Sequence, residues 1–167
     1  QSFIKQGFKD FRVFSNYGYI LLGLGKFKDA ELLLRKAIEL KPDYAEAYLN
    51  LGNILQGLGK FKEAAISTHK AIELKPDFVI AYLNLGNILK NIGQLEKAEL
   101  CLRKAIELKP DFVDAHLNLG TILQGLSDYK EAELCIRKAI ELKPDYAEAH
   151  LNLGNILKNL GQLEDAK

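Results

Sequence analysis

The hexapeptide Ile-Glu-Leu-Lys-Pro-Asp occurs four times, beginning at Ile38, Ile72, Ile106 and Ile140, each start 34 residues after the last. A period of that length commits a chain to a stack of like units, each burying its apolar side against its neighbours. All four prolines of the chain, Pro42, Pro76, Pro110 and Pro144, fall in this string. A second ladder, Leu-Gly at Leu51, Leu85, Leu119 and Leu153, keeps the same period. Four whole units result, 11–44, 45–78, 79–112 and 113–146. Residues 1–10 match the end of a preceding unit, with Ser2 to Gln6 as the tail of a second helix. Residues 147–167 make a truncated fifth unit, a first helix and the start of a second.

Each unit reads as two helices. In 45–78, Ala47, Tyr48, Leu51, Ile54, Leu55 and Leu58 recur at spacings of three and four, which places them on one helical face. Gly57-Leu58-Gly59-Lys60 is a turn. A second periodic run from Phe61 to Leu74 stops before Pro76, which cannot continue a helix. Asp43 with Glu46, and Asp145 with Glu148, have capping-box spacing and predict side-chain caps at the next helix. No segment alternates as a strand does.

These residues resemble the tetratricopeptide repeat (TPR) family over about 11–167. The family's signature positions within each unit are 4, 7, 8, 11, 20, 24, 27 and 32. Position 8 is Gly18, Gly52, Gly86, Gly120 and Gly154; position 20 is Ala30, Ala64, Ala98, Ala132 and Ala166. Position 27 is Ala37, Ala71, Ala105 and Ala139. Small side chains at 8 and 20 let two helices approach closely, and large ones at 4, 7, 11, 17 and 24 fill the remaining space. The resemblance implies an all-α fold, a right-handed superhelical α-solenoid of stacked antiparallel helix pairs, with first helices lining a concave groove.

Composition narrows the partners. A net charge of +1 gives no reason to expect nucleic acid or an anionic membrane. Lysine rows at 36, 70, 104, 138 and at 41, 75, 109, 143 are interleaved with Glu39, Glu73, Glu107 and Glu141, as on solvated helix faces. No apolar run approaches a membrane span of roughly 20 residues. Two cysteines make no disulfide framework, which favours a cytoplasmic location. The missing initiator methionine suggests a fragment or a processed chain.

No catalytic constellation, cofactor motif or metal set is evident. His116 and His150 occupy position 4, where Phe14 and Tyr48 stand in other units, and read as packing residues with a polar edge. Cys101 and Cys135 repeat at position 23, one unit apart on successive helix pairs and so about 10 Å from each other, too far for a disulfide. The glycine turns follow helices and precede no Gly-Lys-Ser/Thr.

The feature that packing does not demand is asparagine. Position 6 is Asn16, Asn50, Asn84, Asn118 and Asn152; position 9 includes Asn53, Asn87 and Asn155. Asparagine is an indifferent helix former, so five mid-helix copies need a reason. A carboxamide both donates and accepts and can pair with the backbone of an extended peptide. Such a peptide advances about 3.3–3.6 Å per residue, so rungs about 10 Å apart would grip every third residue. The position-6 row is similar to the asparagine ladder in the repeat arm of O-linked N-acetylglucosamine transferase. By the family resemblance, Leu49, Leu83 and Leu117 at position 5 also face the groove. Position 5 has no base and position 6 no Lys or Arg, which argues against the carboxylate clamp of chaperone-binding members.

The expected function is a non-catalytic interaction scaffold that binds a protein or peptide partner along the asparagine-lined groove. Two alternatives stand beside it: a substrate-recruiting arm of a larger transferase, and a consensus-like array without a dedicated ligand. In the last, the asparagine row is a copy made by duplication or an internal hydrogen-bonded row. The truncated fifth unit further predicts end-to-end self-association.

Overall fold

The computed structural model describes residues 10–161. The expected features at 1–9, including the Ser2–Gln6 tail, and the second helix of the fifth unit lie outside this range. Among the described residues there are nine helices and no strand: α1 Phe11–Gly23, α2 Phe27–Leu40, α3 Ala45–Gly57, α4 Phe61–Leu74, α5 Val79–Asn91, α6 Leu95–Leu108, α7 Val113–Gly125, α8 Tyr129–Leu142 and α9 Ala147–Asn159. Odd-numbered helices are the first of each repeat and even-numbered helices the second. The chain divides into two compact units, Gln1–Ala81 and Tyr82–Lys167, and the division falls within α5.

In the first unit α1 packs on α2, α2 on α3 and α3 on α4. In the second, α6 packs on α7, α7 on α8 and α8 on α9. Small residues set the approach within each pair. A Cβ added at Gly120 of α7 would lie 2.6 Å from Ile136 Cδ1 of α8, and one at Gly86 of α5 would lie 2.9 Å from Leu102 Cγ of α6. Ala30, Ala64, Ala98 and Ala132 facing these glycines are fully buried.

The turns follow from the repeated string. The second helices end with the N–H of Lys41, Lys75, Lys109 and Lys143 donating to the carbonyls of Ala37, Ala71, Ala105 and Ala139. The same lysines then lie over aromatic rings. Lys75 Nζ is 4.8 Å from the centre of Phe78, Lys109 Nζ 5.4 Å from Phe112, and Lys143 Nζ 4.6 Å from Tyr146. Lys41 lies over both Phe11 and Tyr44.

That stacking accompanies a different helix start from the one the spacing of Asp43 and Asp145 suggests. The residue preceding α3 and α9 is the aromatic Tyr44 or Tyr146, and neither helix has a side-chain cap. The backbone carbonyl of Tyr44 accepts from Ala47 N, and that of Tyr146 from Ala149 N. Placed one residue too early, Asp43 and Asp145 remain exposed. Aspartate caps occur elsewhere: Asp10 accepts from Arg12 N at the start of α1, and Asp128 from Glu131 N at the start of α8.

Candidate peptide-binding face

The first helices carry the asparagine row, and each unit presents its own part. In the first unit, Asn16 on α1 is exposed and Asn50 and Asn53 on α3 are half-buried. In the second, Asn84 and Asn87 on α5, Asn118 on α7 and Asn152 on α9 are half-buried, and Asn155 is exposed. Helical periodicity puts positions 6 and 9 on one side of each helix, three residues apart. Opposite them, Gly52 and Leu55, and Gly120 and Leu123, are buried, with Gly52 and Gly120 against the second helix of the pair.

Rungs differ in how their amides are used. Asn152 Nδ2 donates to Thr121 Oγ1 on the neighbouring α7 at 3.4 Å, while Thr121 donates to the Leu117 carbonyl of its own helix at 3.0 Å. Asn50 and Asn118 have no hydrogen-bond partner among the described residues. A half-buried amide in that state keeps a donor pair and an acceptor for something else.

The position-5 leucines are placed differently from a peptide-facing floor. Leu49 is 6% exposed and Leu117 2%. Leu49 packs with Ala71 of α4 and Ala81 at the start of α5, beside Tyr48, Ile72 and Phe78. Leu83 is half-buried. Leu49 and Leu117 are thus core residues between helices. Leu151, the equivalent residue on α9, is 66% exposed. In the first rung the pattern is broken by buried Ser15 at position 5 and by Tyr19 at position 9, which is 61% exposed.

The charged rows are engaged within the array. Lys36, Lys70, Lys104 and Lys138 each pair with the glutamate three residues on, at 2.6–2.8 Å. At the margin of the asparagine face, Glu46 pairs with Lys75 at 3.6 Å, and Asp114 accepts from Tyr146 Oη at 3.3 Å. The face that remains is predominantly neutral amide.

The other candidate groups are structural. His116 is 9% exposed, and its Nε2–H donates to the Pro110 carbonyl at 2.8 Å. His150 makes the same bond to the Pro144 carbonyl at 2.7 Å. Position-4 histidine thus ties a first helix to the preceding proline turn, a role that spacing alone does not reveal. Cys101 and Cys135 are free thiols whose ionisation burial pushes up to about 11, so neither is a ready thiolate. Among the described residues no three His, Cys, Asp or Glu side chains gather to hold a metal ion, and no helix is long and apolar enough to cross a membrane.

Family models for the tetratricopeptide repeat match residues 45–78, 79–112 and 113–146, more than half of the chain. The chain belongs to the tetratricopeptide repeat family. Further TPR models match 18–59 and 135–167. No curated protein sequence matches the chain. Several solved TPR structures share its fold. A MamA structure is 26% identical with a TM-score of 0.84, covering 89% of this chain and 87% of its own. MamA from Desulfovibrio magneticus RS-1, at 22% identity, has a TM-score of 0.88 over 96% of this chain and 90% of its own. YrrB, a TPR protein with an unusual peptide-binding site, is 25% identical with a TM-score of 0.81, covering 99% of this chain and 85% of its own. Family and neighbours together make this TPR chain a protein-interaction scaffold, a class that is non-catalytic as a rule.

Proposed function

We propose that the chain binds extended peptide segments along the first-helix faces of its repeats, with the position-6 asparagines pairing to peptide backbone. The observation that carries this reading is the state of Asn50 and Asn118, half-buried on that face with their amides unspent. Amide readout of backbone is indifferent to side-chain identity, so specificity comes from the residues that vary between rungs. Tyr19, Gln56, Lys90 and Gln124 are the variable positions beside the row. The peptide-binding site of YrrB lends weight from a relative of the same fold.

A peptide array probed with wild type and with Asn50→Ala/Asn118→Ala tests it. Each lost hydrogen bond costs about 0.5–1.5 kcal/mol, so the double variant should bind array hits several-fold to about a hundredfold more weakly. If it binds every hit as tightly as wild type, the proposal fails.

The bond from Asn152 to Thr121 favours a second reading, in which the amides stitch neighbouring first helices together. On that reading Asn152→Ala lowers stability by about 1 kcal/mol and leaves peptide binding unchanged.

A further inference from the structure

In the first unit the α1–α2 turn and the α3–α4 turn enclose an open cavity of about 410 Å³, a volume in the range of ligand sites. Gly25, Lys26, Phe27, Lys28 and Asp29 line it from the first turn and Leu58 from the second. The two turns are in direct contact. The Phe27 ring packs so close to the end of α3 that a Cβ added at Gly57 would lie 2.6 Å from Phe27 Cε1. Lys60 Nζ, just before α4, reaches Glu31 of α2 at 3.3 Å. Phe27 and Leu58 give the cavity an apolar side, and Leu24, next to Gly25 in the chain, is 65% exposed.

This edge is basic in a chain that is nearly neutral overall. Lys26, Lys28, Arg35, Lys60 and Lys62 stand against Asp29, Glu31 and Glu63. The same eight places in the second unit hold three bases and four acids: Lys97, Arg103 and Lys130 against Glu96, Glu99, Asp128 and Glu131, with Gln94 the eighth. Arg35 takes up two of the first unit's acids, lying 2.8 Å from Glu31 and 3.7 Å from Glu63. Lys26, Lys28 and Lys62 are exposed and form no ion pair among the described residues, and Asp29 is the one acid here without one. Helix stability does not call for these lysines. Lys26 and Lys60 immediately precede α2 and α4, and Lys28 and Lys62 are second in them, where the helix dipole opposes positive charge.

We infer that this edge is a docking site for an acidic segment of a protein partner, which seats one large apolar side chain in the cavity and places carboxylates over the lysines on either side. An extended segment advances about 3.3–3.6 Å per residue, so acids two residues before and after the apolar one lie about 7 Å from it along the chain. They reach Lys26 and Lys28 on one turn and Lys62 beyond the other. Nucleic acid and an anionic membrane are less favoured occupants. A net charge of +1 supplies little long-range attraction to either, and the apolar side of the cavity suits a side chain better than a phosphate.

The test uses the full chain and three fluorescein-labelled decapeptides in a Gly/Ser background, followed by anisotropy. One carries phenylalanine with two glutamates on each side; the second has each glutamate replaced by glutamine, and the third has the phenylalanine replaced by serine. The first should bind at least about tenfold tighter than either of the others, and less tightly as salt rises. Lys26→Gln/Lys28→Gln/Lys62→Gln should weaken its binding at least about tenfold without lowering the thermal midpoint, since the three side chains are exposed and unpaired. Lys97→Gln/Lys130→Gln, which removes exposed lysines from the second unit, should leave the binding unchanged. Asn50→Ala/Asn118→Ala should also leave it intact, which separates this edge from the asparagine face. The inference is overturned if the three peptides bind equally, if the triple variant binds as wild type does, if the second-unit variant weakens binding as much as the triple variant, or if no binding is seen up to about 1 mM. It is equally overturned if the three lysines mediate binding only to phosphatidylserine vesicles or to single-stranded DNA.

Discussion

Helices α4 and α8 hold the same place in their repeats, yet the residues that face their partners differ in kind. At positions 23 and 24, α4 has Ser67 and Thr68 where α8 has Cys135 and Ile136. Ser67 is accommodated: its hydroxyl donates to the Tyr48 carbonyl at 2.8 Å. Thr68 Oγ1 is fully buried without a hydrogen-bond partner. It also sits where a Cβ on Gly52 would be, the space that Ile136 takes against Gly120. At positions 21 and 25, α8 pairs Glu133 with Arg137, whereas α4 has Ala65 and His69, and His69 turns instead to Glu73 at 3.2 Å. The same backbone pair thus forms around an apolar plug or around an unsatisfied hydroxyl. The glycine–alanine approach sets the geometry, and position 24 sets how strongly it is held.

The largest way to sharpen this comparison is to exchange the plugs. Ile136→Thr should destabilise the second unit by about 2–4 kcal/mol, from lost apolar volume and a buried unpaired hydroxyl. The reciprocal Thr68→Val, which keeps the shape and removes the hydroxyl, should stabilise the first unit by about 1 kcal/mol. Denaturant unfolding of each variant, with hydrogen exchange to locate the change, measures both. The comparison breaks if Thr68→Val is destabilising, which would mean that the hydroxyl has a partner in solution.

A smaller effect lies in the turns that lead into these helices. Gly59 precedes α4 with φ +73°, in the left-handed region, and Ser127 holds the same place before α8 with φ +66°. A side chain in that region costs about 1–2 kcal/mol relative to glycine. Ser127→Gly should therefore raise the thermal midpoint of a chain whose α8 is otherwise the better packed. Smaller still, Ala65→Glu/His69→Arg should add an i,i+4 pair to α4 worth about 0.3–0.5 kcal/mol. Screening by salt should abolish that gain.

The fold was legible because its signals are local and repeated. Pro42 and Pro76 stop their helices wherever they occur, and Gly59 marks its turn by its conformational freedom alone. What the sequence hid depends on neighbours. Asp43 and Asp145 have capping-box spacing, but the aromatic residues after them stack under lysines and the helices begin one residue later. Leu49 and Leu117 share the helix side expected of groove residues, yet the next helices cover them. Leu151 shows the same residue uncovered, so its burial is a property of the stack and not of the helix. The asparagines lie where the period puts them, but the bond that spends the Asn152 amide on Thr121 of the neighbouring helix is a contact between rungs that the period alone does not announce.

The most direct measurement follows the side-chain amide resonances of Asn50 and Asn118 by NMR while an array-selected peptide is titrated into the chain. Backbone pairing predicts that both side-chain signals shift in step with peptide saturation and that a backbone N-methylated version of the peptide moves neither. Saturable binding that leaves both amide signals in place would contradict the asparagine face as the binding site.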